Sequence, residues 1–94
     1  MKFRKKPVVI EAMQFTQENV DAIDKWLIEC GLKDFGWQGN AGTGETTALL
    51  IKTLESNGAD RMTAGPGDWI IRGVKGEFYP CKPDIFEATY EAAE

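Results

Sequence analysis

Residues 62–91, MTAGPGDWIIRGVKGEFYPCKPDIFEATYE, decide the fold of this chain because they contain a complete β-hairpin. Residues 69–72, WIIR, are rich in the aromatic and β-branched side chains that favour strands. Residues 73–76, GVKG, fit a type I turn that ends on glycine, which is a common hairpin closure. Residues 77–79 then return as the second strand. We therefore predict that the two strands pair antiparallel and that Trp69 is mostly buried.

Turn signals precede and follow this hairpin. Residues 65–68, GPGD, form a turn, because proline presets φ and glycine accepts a positive φ. We interpret Asp68 as a residue that stabilises this turn and not as a catalytic acid. Pro80 stops the second strand, because proline lacks the N–H that a central strand needs. Residues 85–88 are expected to form a short helical turn that docks Phe86.

The most regular pattern outside the hairpin predicts a helix over about residues 17–30. Apolar residues recur there at helical spacing, Thr16 is a suitable N-cap, and Gly31 fits the position after the last turn. Residues 8–15 are predicted to form a strand with apolar residues on both faces. Residues 47–55 are predicted to form a further strand.

Together these elements predict an α+β fold in a single domain that spans residues 1–94. We expect a small, strongly bent, mostly antiparallel sheet of about four or five strands, with one main helix and a C-terminal hairpin. Residues 31–47 contain five glycines and are predicted to be a long loop. The ends of the chain differ in charge, basic over residues 2–6 and acidic over residues 84–94. They are either solvated separately or paired as neighbouring strands.

Composition restricts the possible functions. The chain has 94 residues, a net charge of −4 and a pI near 4.8, and it carries no basic excess for non-specific nucleic-acid binding. No apolar run approaches the ~20 residues that a membrane span requires. The two cysteines, Cys30 and Cys81, are far apart and form no CxxC motif. We expect a cytoplasmic, reduced protein.

Histidine is absent from the sequence. This removes the usual general base, the Ser/His and Cys/His dyads and the commonest metal ligand. Two isolated cysteines do not make a zinc site. We therefore expect no enzymatic activity, no catalytic residue, no metal and no cofactor.

Two stretches, residues 2–15 (KFRKKPVVIEAMQF) and residues 62–91, resemble a family of small phage and prophage proteins. The resemblance covers both ends, somewhat under half of the chain. It implies a viral origin and action inside a bacterial host, and it transfers no catalytic residue. The middle of the chain, residues 31–60, lies outside the resemblance.

The glycine-rich segment was compared with known phosphate-binding motifs. Gly39 and Gly44 have the spacing of GxxxxGK[ST], but Glu45 stands where the lysine belongs. Residues 42–44, GTG, begin a GxGxxG motif, but Thr47 replaces its third glycine. The segment is therefore either a nonstandard anion nest of backbone N–H groups or a flexible connector.

A set of aromatic and cationic residues is the best candidate for a ligand site. Aromatic faces can stack on bases, and arginine binds phosphate through two parallel hydrogen bonds. Trp37 is the strongest member, because it lies in the glycine-rich segment where no local pattern requires a core anchor. The predicted ligand-binding residues are Trp37, Gly42, Thr43, Arg61, Trp69, Arg72, Lys75 and Tyr79. The alternative is that Trp69 is core, that Arg72 and Lys75 are solvated hairpin charges, and that Arg72 pairs with Glu77.

Two classes of function remain open from the sequence. The first is a non-enzymatic protein that sequesters a small anionic molecule, best a nucleotide-type host immune signal and perhaps a cyclic one. The second is a protein-interaction module that inhibits or adapts a host or phage protein. In either case we expect a homo-oligomer, most simply a dimer, because the chain is short and its strands carry apolar residues on both faces.

Overall fold

A computed structural model describes residues 1, 9–52 and 62–90 of the chain. The elements in order are β1 (Glu11–Gln14), a 3-10 turn (Gln17–Asn19), α1 (Val20–Glu29), β2 (Phe35–Gly39), β3 (Thr46–Ile51), β4 (Met62–Ala64), β5 (Trp69–Arg72), β6 (Phe78–Cys81) and α2 (Pro83–Thr89). The fold is α+β with antiparallel strands, as predicted.

The strands form two sheets where the sequence predicted one bent sheet. One sheet has the order β1-β5-β6 and the other the order β2-β3-β4, so the described residues hold six strands in place of four or five. The chain passes from β1 to the second sheet through α1, and it returns to the first sheet at the turn between β4 and β5, where Gly67 has a φ of +94°. The predicted GPGD turn is therefore the junction of the sheets.

The main hydrophobic cluster of the described residues lies between the two sheets and α1. It contains Phe15 after β1, Ile23 and Leu27 of α1, Leu49 and Ile51 of β3, Ala64 of β4, Ile70 of β5 and Phe78 of β6. Each sheet contributes one face to it, so the apolar stripe of α1 is shared by both sheets.

The helix predicted over about residues 17–30 begins with a 3-10 turn over residues 17–19, and α1 itself spans residues 20–29. The predicted signals are present at the two ends of this combined segment. The Thr16 hydroxyl accepts a hydrogen bond from the Asn19 N–H at 3.2 Å. At the other end Gly31 adopts a φ of +86°, its N–H bonds to the Ile28 carbonyl, and the Leu32 N–H bonds to the Leu27 carbonyl at 3.0 Å. This is a Schellman motif, which requires a residue that accepts positive φ.

The predicted long loop over residues 31–47 is wrong, because β2 lies within it. β2 pairs along β3, with Trp37 opposite Leu49. Phe35 and Trp37 alternate with Gly36 and pack against the core, so they provide the apolar face of a short strand. The glycines concealed this pattern, because glycine is uncommon in strand interiors.

The C-terminal hairpin forms as predicted. β5 and β6 pair with Trp69 opposite Cys81 and Arg72 opposite Phe78, and the Gly76 N–H closes the turn on the Gly73 carbonyl at 3.0 Å. Pro80 does not stop the strand. It lies inside β6, which is an edge strand where a missing N–H is tolerated.

The last helix is longer than predicted and covers the outer face of the hairpin. α2 begins at Pro83, whose fixed φ suits a first helical position. Phe86 docks as expected, stacking on Trp69 with centroids 4.1 Å apart and ring planes 7° from parallel. Trp69 is mostly buried, as predicted, with its indole Nε1 inaccessible to solvent, but the stack with Phe86 buries it and it is not part of the hydrophobic core.

Some predictions lie outside the described residues. These are the first residue of the strand predicted over 8–15, the end of the strand predicted over 47–55, the pairing of the chain ends, and Arg61. Within the part of the chain that the structure describes, no helix is long and apolar enough to cross a membrane.

Candidate ligand-binding site

Trp37, the leading candidate from sequence, is held by the fold. Its indole N–H donates to the Asp24 carboxylate at 2.9 Å, and its ring meets Phe15 edge-on with centroids 5.5 Å apart. Both polar and apolar parts of the side chain therefore have partners within the protein. The indole ties β2 to α1.

Gly42 and Thr43 lie in the tight turn that joins β2 to β3. The Gly42 N–H donates to the Asn40 side chain at 2.9 Å, and the N–H groups of Thr43 and Gly44 donate to the Asn40 carbonyl. The Thr43 hydroxyl accepts from the Glu45 N–H at 3.3 Å. An anion nest needs free N–H groups, and these donors close the turn itself.

Trp69 and Tyr79 lie on the face of the hairpin that α2 covers. Phe86 occupies the face of Trp69, and the Tyr79 hydroxyl is 3.5 Å from the Tyr90 hydroxyl. Burial and the hydrogen bond with Tyr90 raise the pKa of Tyr79 to about 12. The two aromatic residues are thus brought together, but helix α2 takes the place where a base would stack.

Arg72 lies on the opposite face of β5 from Trp69, because successive strand residues alternate faces. Its partner is Glu11 across the β1–β5 pair, at 3.9 Å, and not the predicted Glu77. The same Glu11 oxygen accepts from the Trp26 indole at 3.3 Å. The Arg72 Nε is buried and has no acceptor among the described residues.

Two cavities flank the β5–β6 turn, which we call the Arg72 cavity and the Lys75 cleft. The Arg72 cavity measures about 280 Å³ and lies between the approach to β1, at Val9 and Ile10, and the turn at Val74. The Lys75 cleft measures about 470 Å³. Gly76 lines both. Arg72 and Lys75 therefore stand on the two sides of one turn.

Three distant parts of the chain build the Lys75 cleft. Leu32 and Asp34 come from the segment after α1, Lys52 follows β3, and residues 75–78 come from the turn and β6. Lys52 pairs with Asp34 at 3.3 Å. Leu32 and Phe78 supply an apolar wall, and the cations Lys52 and Lys75 lie at the rim.

Glu77 is the least satisfied group of the cleft. Its Oε2 is buried and accepts no hydrogen bond from the described residues. A Cβ on Gly73 would overlap this carboxylate, so the side chain lies against the backbone of the turn. Buried carboxylate oxygens without donors are costly and therefore uncommon in folded proteins.

No local sequence pattern identifies Lys52, Glu77 or the apolar wall as members of a site. Glu77 was assigned to an ion pair with Arg72, which the structure does not contain. Lys52 has no local signal at all, because a solvated lysine at a strand end has the same pattern. Within the described ranges, no three Cys, Asp or Glu side chains lie close enough to hold a metal ion.

The chain matches no protein-family model, no curated protein and no solved structure.

Proposed function

We propose that this protein binds a small anionic molecule, best a phosphorylated nucleotide, at the β5–β6 turn and sequesters it without chemical change. The observation that carries the proposal is that the Arg72 guanidinium has an unused hydrogen-bond donor. The Arg72 side chain lines the Arg72 cavity together with Glu11, and its buried Nε has no acceptor among the described residues. A phosphate oxygen is the acceptor that arginine binds best.

The size of the Lys75 cleft and the lysines that line it support an anionic ligand. The Lys75 cleft falls within the ~300–1,000 Å³ of typical small-molecule sites. Lys75 and Lys52 add two cations on the other side of the turn from Arg72, where Asp34, the partner of Lys52, and Glu77 also line the cleft. A phosphorylated ligand that lies over Gly76 would reach cations on both sides, although the protein as a whole is acidic.

The proposal keeps part of the predicted site. Arg72 and Lys75 remain, and Lys52 and Phe78 are added from the Lys75 cleft. Trp37, Trp69 and Tyr79 are omitted because other side chains of the protein already occupy their rings or polar atoms. The base would then pack against Leu32 and Phe78, not between stacked tryptophans.

The absence of histidine supports sequestration in place of catalysis, because no usual general base is available. The resemblance to small phage proteins supplies the biological role in this proposal. A phage protein in excess over a scarce host nucleotide signal would deplete it by binding alone. The ligand should accordingly be recovered intact when the complex is denatured.

The test is calorimetry with cyclic dinucleotides, cyclic trinucleotides, cyclic ADP-ribose isomers and linear nucleotides, at low and at high salt. Arg72→Gln and Lys75→Gln should each weaken binding about tenfold, since a hydrogen bond to a charged group contributes ~1.5–3 kcal/mol. The matched control is Lys25→Gln, on the exposed face of α1, which should leave the affinity for the nucleotide unchanged. An absence of heat from every nucleotide, with unchanged melting, would refute the proposal.

One observation favours a protein-interaction module as the second candidate. Val9 and Val74 border the Arg72 cavity and are 78% and 69% exposed. Apolar side chains around an arginine are typical of interface centres. If this candidate is correct, a Val9→Ser, Val74→Ser variant will fail to capture a host protein that the parent retains without any nucleotide.

A further inference from the structure

The carboxylate of Glu77 can determine which base the proposed site selects. Its Oε2 lies buried at the Lys75 cleft with no donor, one residue before the apolar wall at Phe78. Lys75, the nearest cationic residue in the sequence, also lines the cleft but gives this oxygen no hydrogen bond. One of the residues that line the cleft therefore carries an unused hydrogen-bond acceptor.

An unused carboxylate selects for a ligand with adjacent hydrogen-bond donors. A carboxylate accepts at two oxygens and donates nothing when ionised. Among the common bases, guanine presents two such donors side by side, the ring N1–H and the exocyclic amine. The same edge of adenine places an acceptor nitrogen beside its amine, and that nitrogen would face a carboxylate oxygen without a proton between them.

We infer that Glu77 makes this site selective for guanine nucleotides over adenine nucleotides. This inference rests on the proposed function, because it assigns the base to a site whose cations hold the phosphates. Glu77 lines the cleft and no hydrogen bond holds its Oε2, so a bound guanine would draw the carboxylate away from the backbone of the turn. Guanine would pack on Leu32 and Phe78, with its phosphates at Lys75 and Lys52.

The experiment compares GDP, IDP and ADP by calorimetry on the full chain. Inosine keeps the N1–H of guanine but lacks the amine. GDP should bind at least tenfold more tightly than ADP, with IDP between them, since a good bidentate contact discriminates bases by ~1–3 kcal/mol and 1.4 kcal/mol corresponds to tenfold. Glu77→Gln should bring the GDP-to-ADP ratio close to one. Glu45→Gln, an exposed carboxylate in the β2–β3 turn, should leave the ratio unchanged.

The outcomes separate this inference from the proposed function. Equal binding of GDP and ADP to the parent overturns guanine selectivity and leaves anion sequestration standing. A preference for GDP that survives Glu77→Gln in a variant with parental melting overturns the role of Glu77. If that variant fails to fold, Glu77→Asp keeps the charge, shortens the reach and should still reduce the ratio. If neither nucleotides nor inorganic pyrophosphate bind, both anion sequestration and guanine selectivity are refuted.

Discussion

At the scale of single residues, Asp68 shows how one buried carboxylate fixes a turn. The side chain is 4% exposed and accepts from the Gly65 N–H at 2.9 Å and from the Lys82 ammonium at 3.1 Å. The sequence interpretation of Asp68 as a turn residue is thereby confirmed. Because the turn joins the two sheets and Lys82 precedes α2, one carboxylate connects three parts of the fold.

Replacing this carboxylate should destabilise the protein. Asp68→Ala leaves the Gly65 N–H without its acceptor and should lower the free energy of unfolding by about 2–3 kcal/mol. Asp68→Asn keeps an acceptor for that N–H and loses only the pair with exposed Lys82, so its cost should be less than half as large. Urea unfolding measures both. Equal losses for the two variants would contradict this assignment.

Tyr79 gives a second prediction at this scale, in alkaline solution. Its folded pKa is raised to about 12 by burial and by Tyr90, above the ordinary value of 10.0. The unfolded chain therefore releases this proton first, and the contribution of Tyr79 to stability is present below pH 10 and lost between about pH 10 and 12. Absorbance titration should show one tyrosine ionising near pH 12. Tyr79→Phe should remove that transition. The prediction is wrong if the parent shows no tyrosine ionisation near pH 12.

At the scale of elements, the end of α1 depends on the backbone conformation of Gly31. With a φ of +86°, an alanine there would be strained, although no atom lies within 4 Å of its Cβ. Gly31→Ala should cost about 1 kcal/mol of stability. Gly36 is the matched control, since its Cβ would also meet open space and its φ is not positive. Gly36→Ala should be neutral or stabilising, and equal costs at the two sites would exclude a conformational origin.

The attachment of α2 gives the next prediction, because this helix has no fully buried residue. Its described ring contact with the hairpin is the stack of Phe86 on Trp69. Phe86→Ala should cost about 1–2 kcal/mol through lost apolar area and ring contact. It should also shift the fluorescence of Trp69 to longer wavelength, with a Trp69→Phe variant isolating that signal. Ile85→Ala, on the 55% exposed neighbour, is the control, and identical spectra for Phe86→Ala and the parent would contradict the stack.

At the scale of the whole molecule, the dimer expected from sequence stays a prediction. β2 is an edge strand with the sequence FGWQG and carries no charged side chain. Lysine or proline commonly protects such an edge from pairing with another chain. Light scattering at tens of micromolar protein should give twice the monomer mass. Gln38→Lys places a charge on the edge and should reduce the measured mass toward that of the monomer. A monomer mass for the parent would remove the prediction.

The sequence by itself determined the local elements. The N-cap at Thr16, the positive φ of Gly31, the 73–76 turn and the pairing of β5 with β6 each depend on residues a few positions apart, so short-range sterics and hydrogen bonding suffice. The α+β class followed from these elements. Where glycines or a proline interrupted the pattern, as in β2 and at Pro80, packing against the core or an edge position overrode the local preference.

Only the tertiary structure decided how these elements combine. The division into two sheets depends on which strands meet across the core, and no local pattern at the 65–68 turn specifies it. The same holds for the site. Trp37 is engaged by Asp24 from α1, and α2 covers Trp69 and Tyr79. Lys52, from the far end of β3, reaches the cleft beside Lys75. Whether a side chain is free to bind a ligand depends on partners distant in sequence, because folding brings those partners to it.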